Sequence, residues 1–178
     1  MFGVGRSLDR LGVSPNALTL AGLLLNALAA LVLARGEYVL GGVLTLVFAA
    51  FDMLDGAVAR AGNKVSVFGG FLDSTIDRYS EAVVLLGLLW HFLRIGNDTA
   101  VVLVYVTIVG SLMISYTRAR SEAAGLKNEA GLLARPERVV ILGALLLLGR
   151  PEWALWVLAA GTNLTAAQRV YHVYKAVT

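Results

Sequence analysis

The reading of this chain turns on the stretch from Asp52 to Asp77: Asp52-x-x-Asp55-Gly56-x-x-Ala59-Arg60, eight residues, then Gly69-x-x-x-Asp73-x-x-x-Asp77. It places four carboxylates within 26 residues of a chain that is 58% hydrophobic and only 15% charged. Ionisable groups at membrane depth are costly and mark functional sites by default. Asp52 and Asp55 are three apart and Asp73 and Asp77 four apart, so on helices each pair shares a face. Two such pairs facing one another would form an oxygen-rich cage suited to a hard divalent cation such as Mg²⁺.

The surrounding composition fixes the fold class. With 178 residues and a mean hydropathy of +0.75, the chain reads as an all-α integral membrane protein. It is a single transmembrane domain over 1–178, with room for about six helices of roughly 20 residues and none for a separate soluble domain. There is no cysteine, which excludes disulfides, thiolate metal sites and a cysteine nucleophile. Met1 to Arg10 lacks the pattern of a cleaved signal peptide. His91 and His172 are too far apart in sequence to read as a pair and are taken as interfacial or packing residues.

Residues 1–14 form an amphipathic juxtamembrane lead-in, and Ser14-Pro15 is a helix-start signal. The expected spans are 16–34, 39–60, 67–94, 99–122, 136–149 and 152–175, with a turn at Gly62-Asn63-Lys64 and a polar loop over 123–134. Trp153 and Trp156 mark one interface. Polar residues fall late in span two, early in three, late in four, early in five and late in six, so antiparallel neighbours carry them all to one side. Twelve of the 15 Lys and Arg residues lie on that side; Arg35, Arg94 and Arg150 lie on the other. The positive-inside bias makes both termini and the charged site cytoplasmic. No internal repeat is visible, which argues against an inverted-repeat transporter.

Acidic residues around about two divalent cations are apparatus for phosphoryl or phosphodiester transfer. Asp77 is the candidate general base. Gly56, Ala59 and Gly69 are small, as helix packing or close approach of a bulky ligand requires; among the four aspartates the ligand reading is preferred.

Asp52, Asp55, Gly56, Ala59, Arg60, Gly69, Asp73 and Asp77 match, without a gap, the signature of the CDP-alcohol phosphotransferase family, which this chain resembles over nearly its whole length. The resemblance implies transfer of a substituted phosphate from a CDP-linked alcohol to an acceptor hydroxyl with release of CMP, Mg²⁺ or Mn²⁺ as cofactor, and a homodimer. It implies that Asp52, Asp55, Asp73 and Asp77 hold metal, that Asp77 is the base, and that Asp55, Gly56, Ala59, Arg60, Gly69 and Asp73 surround the CDP moiety.

A second polar cluster bears on the acceptor. Ser115 and Arg118 share a helical face, Arg138 opens span five and Arg169 lies late in span six, all on the charged side. Converging guanidinium groups suit a phosphate dianion. Arg120, Lys127 and Arg135 are read instead as positive-inside residues facing anionic headgroups. The stretch from Ser115 to Gly125, with Arg135-Pro-Glu-Arg138 and Gln168-Arg169, resembles the phosphatidylinositol phosphate synthase branch of the family and its archaeal archaetidylinositol phosphate counterparts. That resemblance implies that Ser115, Arg118, Arg138 and Arg169 hold the phosphate of inositol phosphate, although Lys is common in that branch where Arg118 stands here. The donor would be CDP-diacylglycerol or an archaeal CDP-lipid such as CDP-archaeol, in the plasma membrane of a prokaryote. Three alternatives stand beside it: a phosphatidylglycerol phosphate synthase using glycerol 3-phosphate, an inositol phosphodiester synthase using CDP-inositol, and, outside the family, a divalent cation transporter.

Overall fold

The structure, a computed structural model, describes residues 14–61, 66–128 and 130–178, with the side chains of 53–61 outside the description. The expected lead-in, apart from Ser14, and the Gly62-Asn63-Lys64 turn fall outside it too. Six helices and no strand are present among the described residues: α1 Pro15–Leu33, α2 Tyr38–Ala61, α3 Val67–Arg94, α4 Asp98–Ala123, α5 Arg135–Leu147 and α6 Pro151–Val177.

Local chemistry sets the starts. Ser14 Oγ accepts from Ala17 N at 3.2 Å with Pro15 next in the chain. Ser66 Oγ accepts from Gly69 N at 2.9 Å, and Asn97 Oδ1 from Ala100 N at 3.0 Å. Each side chain satisfies an amide that the first helical turn leaves open.

The principal packing pairs are α1–α2, α2–α5, α5–α6, α6–α4, α4–α3 and α3–α1. Followed in that order, they close a ring. One end of its interior is apolar: Leu33, Leu85, Leu88, Phe92, Val104, Leu146 and Leu155 belong to one buried cluster. The outer surface is apolar as well, with Leu24 69%, Leu31 61% and Leu148 70% exposed. An apolar exterior on this scale needs lipid as its solvent. α1 and α4 are each long and apolar enough to cross a membrane, with a mean hydropathy of 2.0.

α5 matches the expected 136–149 segment to within two residues at each end. Its 13 residues rise about 20 Å, short of the roughly 30 Å of bilayer hydrocarbon. Described residues of the loop before it pack against α4 and α6. Asn128 is 1% exposed, and its Nδ2 donates to Ser121 Oγ and to the Arg169 carbonyl, each at 3.0 Å. Leu133 N donates to Thr165 Oγ1 at 3.1 Å. Irregular backbone is tolerated at membrane depth where protein groups satisfy it.

Small residues let the helices approach. A Cβ on Gly87 of α3 would lie 2.7 Å from Ala30 Cα and 2.8 Å from its carbonyl carbon, both backbone atoms of α1. Backbone cannot yield as a side chain can, so Gly87→Val should cost about 1–3 kcal/mol through overpacking. Thermal unfolding in detergent checks this; a variant with the wild-type midpoint would show that α1 and α3 are not so closely packed.

Candidate active site: an acid–arginine cluster at the polar end of the ring

At the polar end, α3 carries Asp73, Asp77 and Glu81 at four-residue spacing, and α5 carries Arg135 and Arg138 three apart. α3 and α5 are not among the principal packing pairs. They are joined across the ring by two ion pairs: Arg135 Nη1 to Asp77 Oδ1 at 2.7 Å and Arg138 Nη2 to Glu81 Oε2 at 2.7 Å.

The deeper pair is the more enclosed. Arg138 Nε also donates to Glu81 Oε1 at 2.7 Å, making the contact bidentate, and Ser111 Oγ donates to the same oxygen at 2.9 Å. Arg138 Nη1 donates to the Leu133 carbonyl at 3.2 Å. Both side chains are largely buried, 5% exposed for Arg138 and 14% for Glu81. A parallel two-bond fork of this kind is the strong form of the guanidinium–carboxylate contact.

Arg135 is held differently. While Nη1 meets Asp77, Nη2 donates to Asp52 Oδ2 on α2 at 3.1 Å. One guanidinium therefore bridges carboxylates from two helices. Asp52 itself depends on Gly22 of α1, where a Cβ would collide with its Oδ1. Asp73 lies one turn before Asp77 on α3. Gly69 lies in the first turn of the same helix, where a Cβ would stand 3.0 Å from Ser66 Oγ and 3.5 Å from Asn16 Oδ1. The cap and the approach of α1 thus already favour a small residue there. Asp55, Gly56, Ala59 and Arg60 fall on α2, but their side chains lie outside the described residues.

Among the described residues no three His, Cys, Asp or Glu side chains converge into a ready metal cage. Asp52 and Asp77 are gathered around Arg135 instead, because two facing carboxylates repel unless a positive charge lies between them. The oxygens around that charge are of the kind a hard divalent cation takes, so Asp52 and Asp77 fit a metal role, with Asp73 a turn away.

Beside this cluster opens a cavity of about 480 Å³. Five arginines, Arg78, Arg118, Arg135, Arg138 and Arg169, line it together with three acids, Asp77, Glu81 and Glu122. Ser115 lines it too, its hydroxyl donating to the Ser111 carbonyl at 3.4 Å. Arg169 is 5% exposed; its Nε donates to the Ala130 carbonyl at 2.9 Å and its Nη1 to the Ile114 carbonyl at 2.6 Å. Arg118 sits at the rim with Nε 2.8 Å from Glu122 Oε1. A guanidinium has five N–H donors. Three are used on Arg138 and two on Arg169, which leaves both buried groups oriented with donors to spare.

Ser115, Arg118, Arg138 and Arg169, grouped from sequence, line this one cavity. Three participants were missed. Glu81 was readable as the next acid on the face of Asp73 and Asp77, and Ser111 as one turn before Ser115. Arg135, read as a headgroup-facing residue, bridges two of the aspartates. Its signal was the three-residue spacing from Arg138. His91 belongs to packing at the opposite end, with Nε2 2.6 Å from the Tyr38 hydroxyl.

Glu81→Leu alone should destabilise the fold by about 3–5 kcal/mol, because it strands a buried guanidinium. Glu81→Leu with Arg138→Met should recover most of that loss. A double-mutant cycle of thermal unfolding reads the coupling; additive losses would mean that the pair contributes nothing as a pair.

Comparison with known proteins places this geometry in context. The sequence profile of the CDP-alcohol phosphatidyltransferase family matches residues 12–167. The chain is 39% identical over 173 residues to the archaetidylinositol phosphate synthase of Pyrococcus horikoshii, covering 97% of this chain and 89% of that one. It is 40% identical over 176 residues to the phosphatidylinositol phosphate synthase of Mycobacteroides abscessus, covering 94% and 80%. The structure superposes on that of the Mycobacterium tuberculosis phosphatidylinositol phosphate synthase with CDP-DAG bound, with a TM-score of 0.91, 32% identity and coverage of 97% and 92%. The same M. tuberculosis enzyme in complex with manganese and citrate superposes with a TM-score of 0.89, at 32% identity and coverage of 97% and 88%.

Proposed function

The chain belongs to the CDP-alcohol phosphatidyltransferase family, and on that premise we propose that it transfers the phosphatidyl group of CDP-diacylglycerol, or of an archaeal CDP-lipid, to inositol phosphate. It is a membrane transferase of phospholipid biosynthesis. The observation that carries the acceptor is the cavity beside Asp77, whose five arginines exceed its three acids by two charges. A phosphate monoester is a dianion, and the spare donors of Arg138 and Arg169 suit its oxygens. Relatives named for inositol phosphate products support the same choice.

Asp52, Asp55, Asp73 and Asp77 are the residues that would hold a divalent cation, most simply two ions of Mg²⁺ or Mn²⁺. Such a cation, when bound, screens phosphate charge and polarises the phosphorus under attack. Arg118, Arg138 and Arg169, with Ser115, fix the acceptor's phosphate and so hold its ring against Asp77. Asp77 accepts the proton of an inositol hydroxyl. The freed oxygen attacks the lipid-linked phosphorus, the bond from that phosphorus to the pyrophosphate bridge breaks, and CMP leaves with the electron pair. Gly56, Ala59, Arg60 and Gly69 would flank the CDP moiety on the α2 side. The positive-inside bias sets this end of the ring, and both termini, towards the cytoplasm, with all six helices embedded in the membrane.

CMP release by the purified protein, with Mg²⁺ and CDP-diacylglycerol, should require inositol phosphate and not respond to glycerol 3-phosphate. Release with glycerol 3-phosphate alone would retain the family chemistry and discard the acceptor. Asp77→Asn should reduce release to background while the protein stays folded; near-wild-type turnover would remove Asp77 from the role of base. Arg118→Ala, at the accessible rim, should raise the KM for inositol phosphate roughly tenfold or more and leave that for the CDP-lipid unchanged. Equal rises for both substrates would contradict its assignment to the acceptor.

A further inference from the structure

Arg135 belongs to both halves of the site. It bridges Asp77 and Asp52 at 2.7 and 3.1 Å, and it also lines the cavity with Arg118, Arg138 and Arg169. Unlike Arg138, locked by Glu81 at 5% exposure, its side chain is 31% exposed. Its Nε is buried and has no hydrogen-bond partner among the described residues. The guanidinium is thus anchored through its two terminal nitrogens, on carboxylate oxygens that a divalent cation would also need. A divalent cation on those oxygens would compete with the guanidinium for their lone pairs and repel its positive charge.

We propose that Arg135 is the exchangeable counter-cation of the Asp52–Asp77 pair. It yields these carboxylates to a divalent cation and turns its guanidinium into the arginine cavity, where it becomes a further ligand of the acceptor's phosphate. Rotation of the side chain suffices, because Arg135 already lines that cavity. The inference rests on the metal and acceptor readings above and adds an order to them: metal binding raises the affinity for the acceptor, and by linkage the acceptor raises the affinity for metal. Without the cation, Arg135 also keeps the two carboxylates from repelling one another apart.

The test is direct Mn²⁺ binding, followed by electron paramagnetic resonance on the full chain in detergent without substrates, for wild type and Arg135→Gln. The variant should bind Mn²⁺ roughly tenfold more tightly, having lost the internal competitor. Calorimetric titration of inositol phosphate should give wild type at least about a fivefold gain in affinity on adding Mn²⁺, and the variant little or none. Unchanged or weaker Mn²⁺ binding by folded Arg135→Gln overturns the exchange. An equal Mn²⁺-dependent gain in both proteins overturns the delivery of Arg135 to the acceptor. Arg135→Lys keeps the charge but cannot present the planar fork, so its Mn²⁺ affinity should fall between the two; a wild-type value would count against the exchange even if Arg135→Gln failed to fold. Failure of wild type to bind Mn²⁺ overturns the metal reading and this proposal together. Failure to bind inositol phosphate overturns the acceptor reading and the delivery step, while the Mn²⁺ titration still decides the exchange.

Discussion

The bidentate contact between Glu81 on α3 and Arg138 on α5 is the constraint on which the polar end of this molecule depends. It crosses the ring between helices that are not principal packing partners, and both side chains are largely buried. A buried pair of this kind contributes little net stability against an apolar replacement, but losing either partner is severe. Its value here is positional. It sets α5 in register with α3, which brings Arg135 level with Asp77, and it leaves donors of Arg138 directed at the cavity. The acid side of the site and the basic side are thereby held in one frame.

Lipid as solvent explains the rest of the architecture. The outside of the ring is apolar, so the polar groups of α3 to α6 gain by facing one another inside. Helices approach where side chains are small: Gly87 against the Ala30 backbone, and Gly22 beside the Asp52 carboxylate. The second contact has a functional consequence, since it gives Asp52 room to reach Arg135. The loop before α5 serves two ends as well. Through Asn128 it ties α4 to α6, and through the Ala130 carbonyl it fixes the Arg169 guanidinium.

Much of this was legible in the sequence, for identifiable reasons. Alternating polar halves predicted a common polar end, and Asp77, Ser115, Arg118, Arg138 and Arg169 do line one cavity. Helix starts were readable where the cap is local chemistry, as at Ser14-Pro15. What failed was whatever depends on a partner distant in sequence. Arg135 carries the same charge as Arg120 and Lys127, and what sets it apart in the fold is the proximity of Asp77 and of Asp52, 83 positions away. Glu81 lay on the face already singled out, yet its meaning comes from Arg138, 57 positions on. The short α5 was readable as the 136–149 segment, but hydropathy cannot show that the polar loop before it folds back against α4 and α6.

Asp52 and Asp77 and the arginines of the adjoining cavity act together on one substrate pair. A crystal structure of the protein with Mn²⁺ and inositol phosphate tests this most directly, using anomalous scattering to locate the metal. Mn²⁺ should lie against Asp52 and Asp77, and the phosphate against Arg118, Arg138 and Arg169 in the cavity beside them. Mn²⁺ remote from those carboxylates, or a phosphate bound away from the arginines, would contradict it.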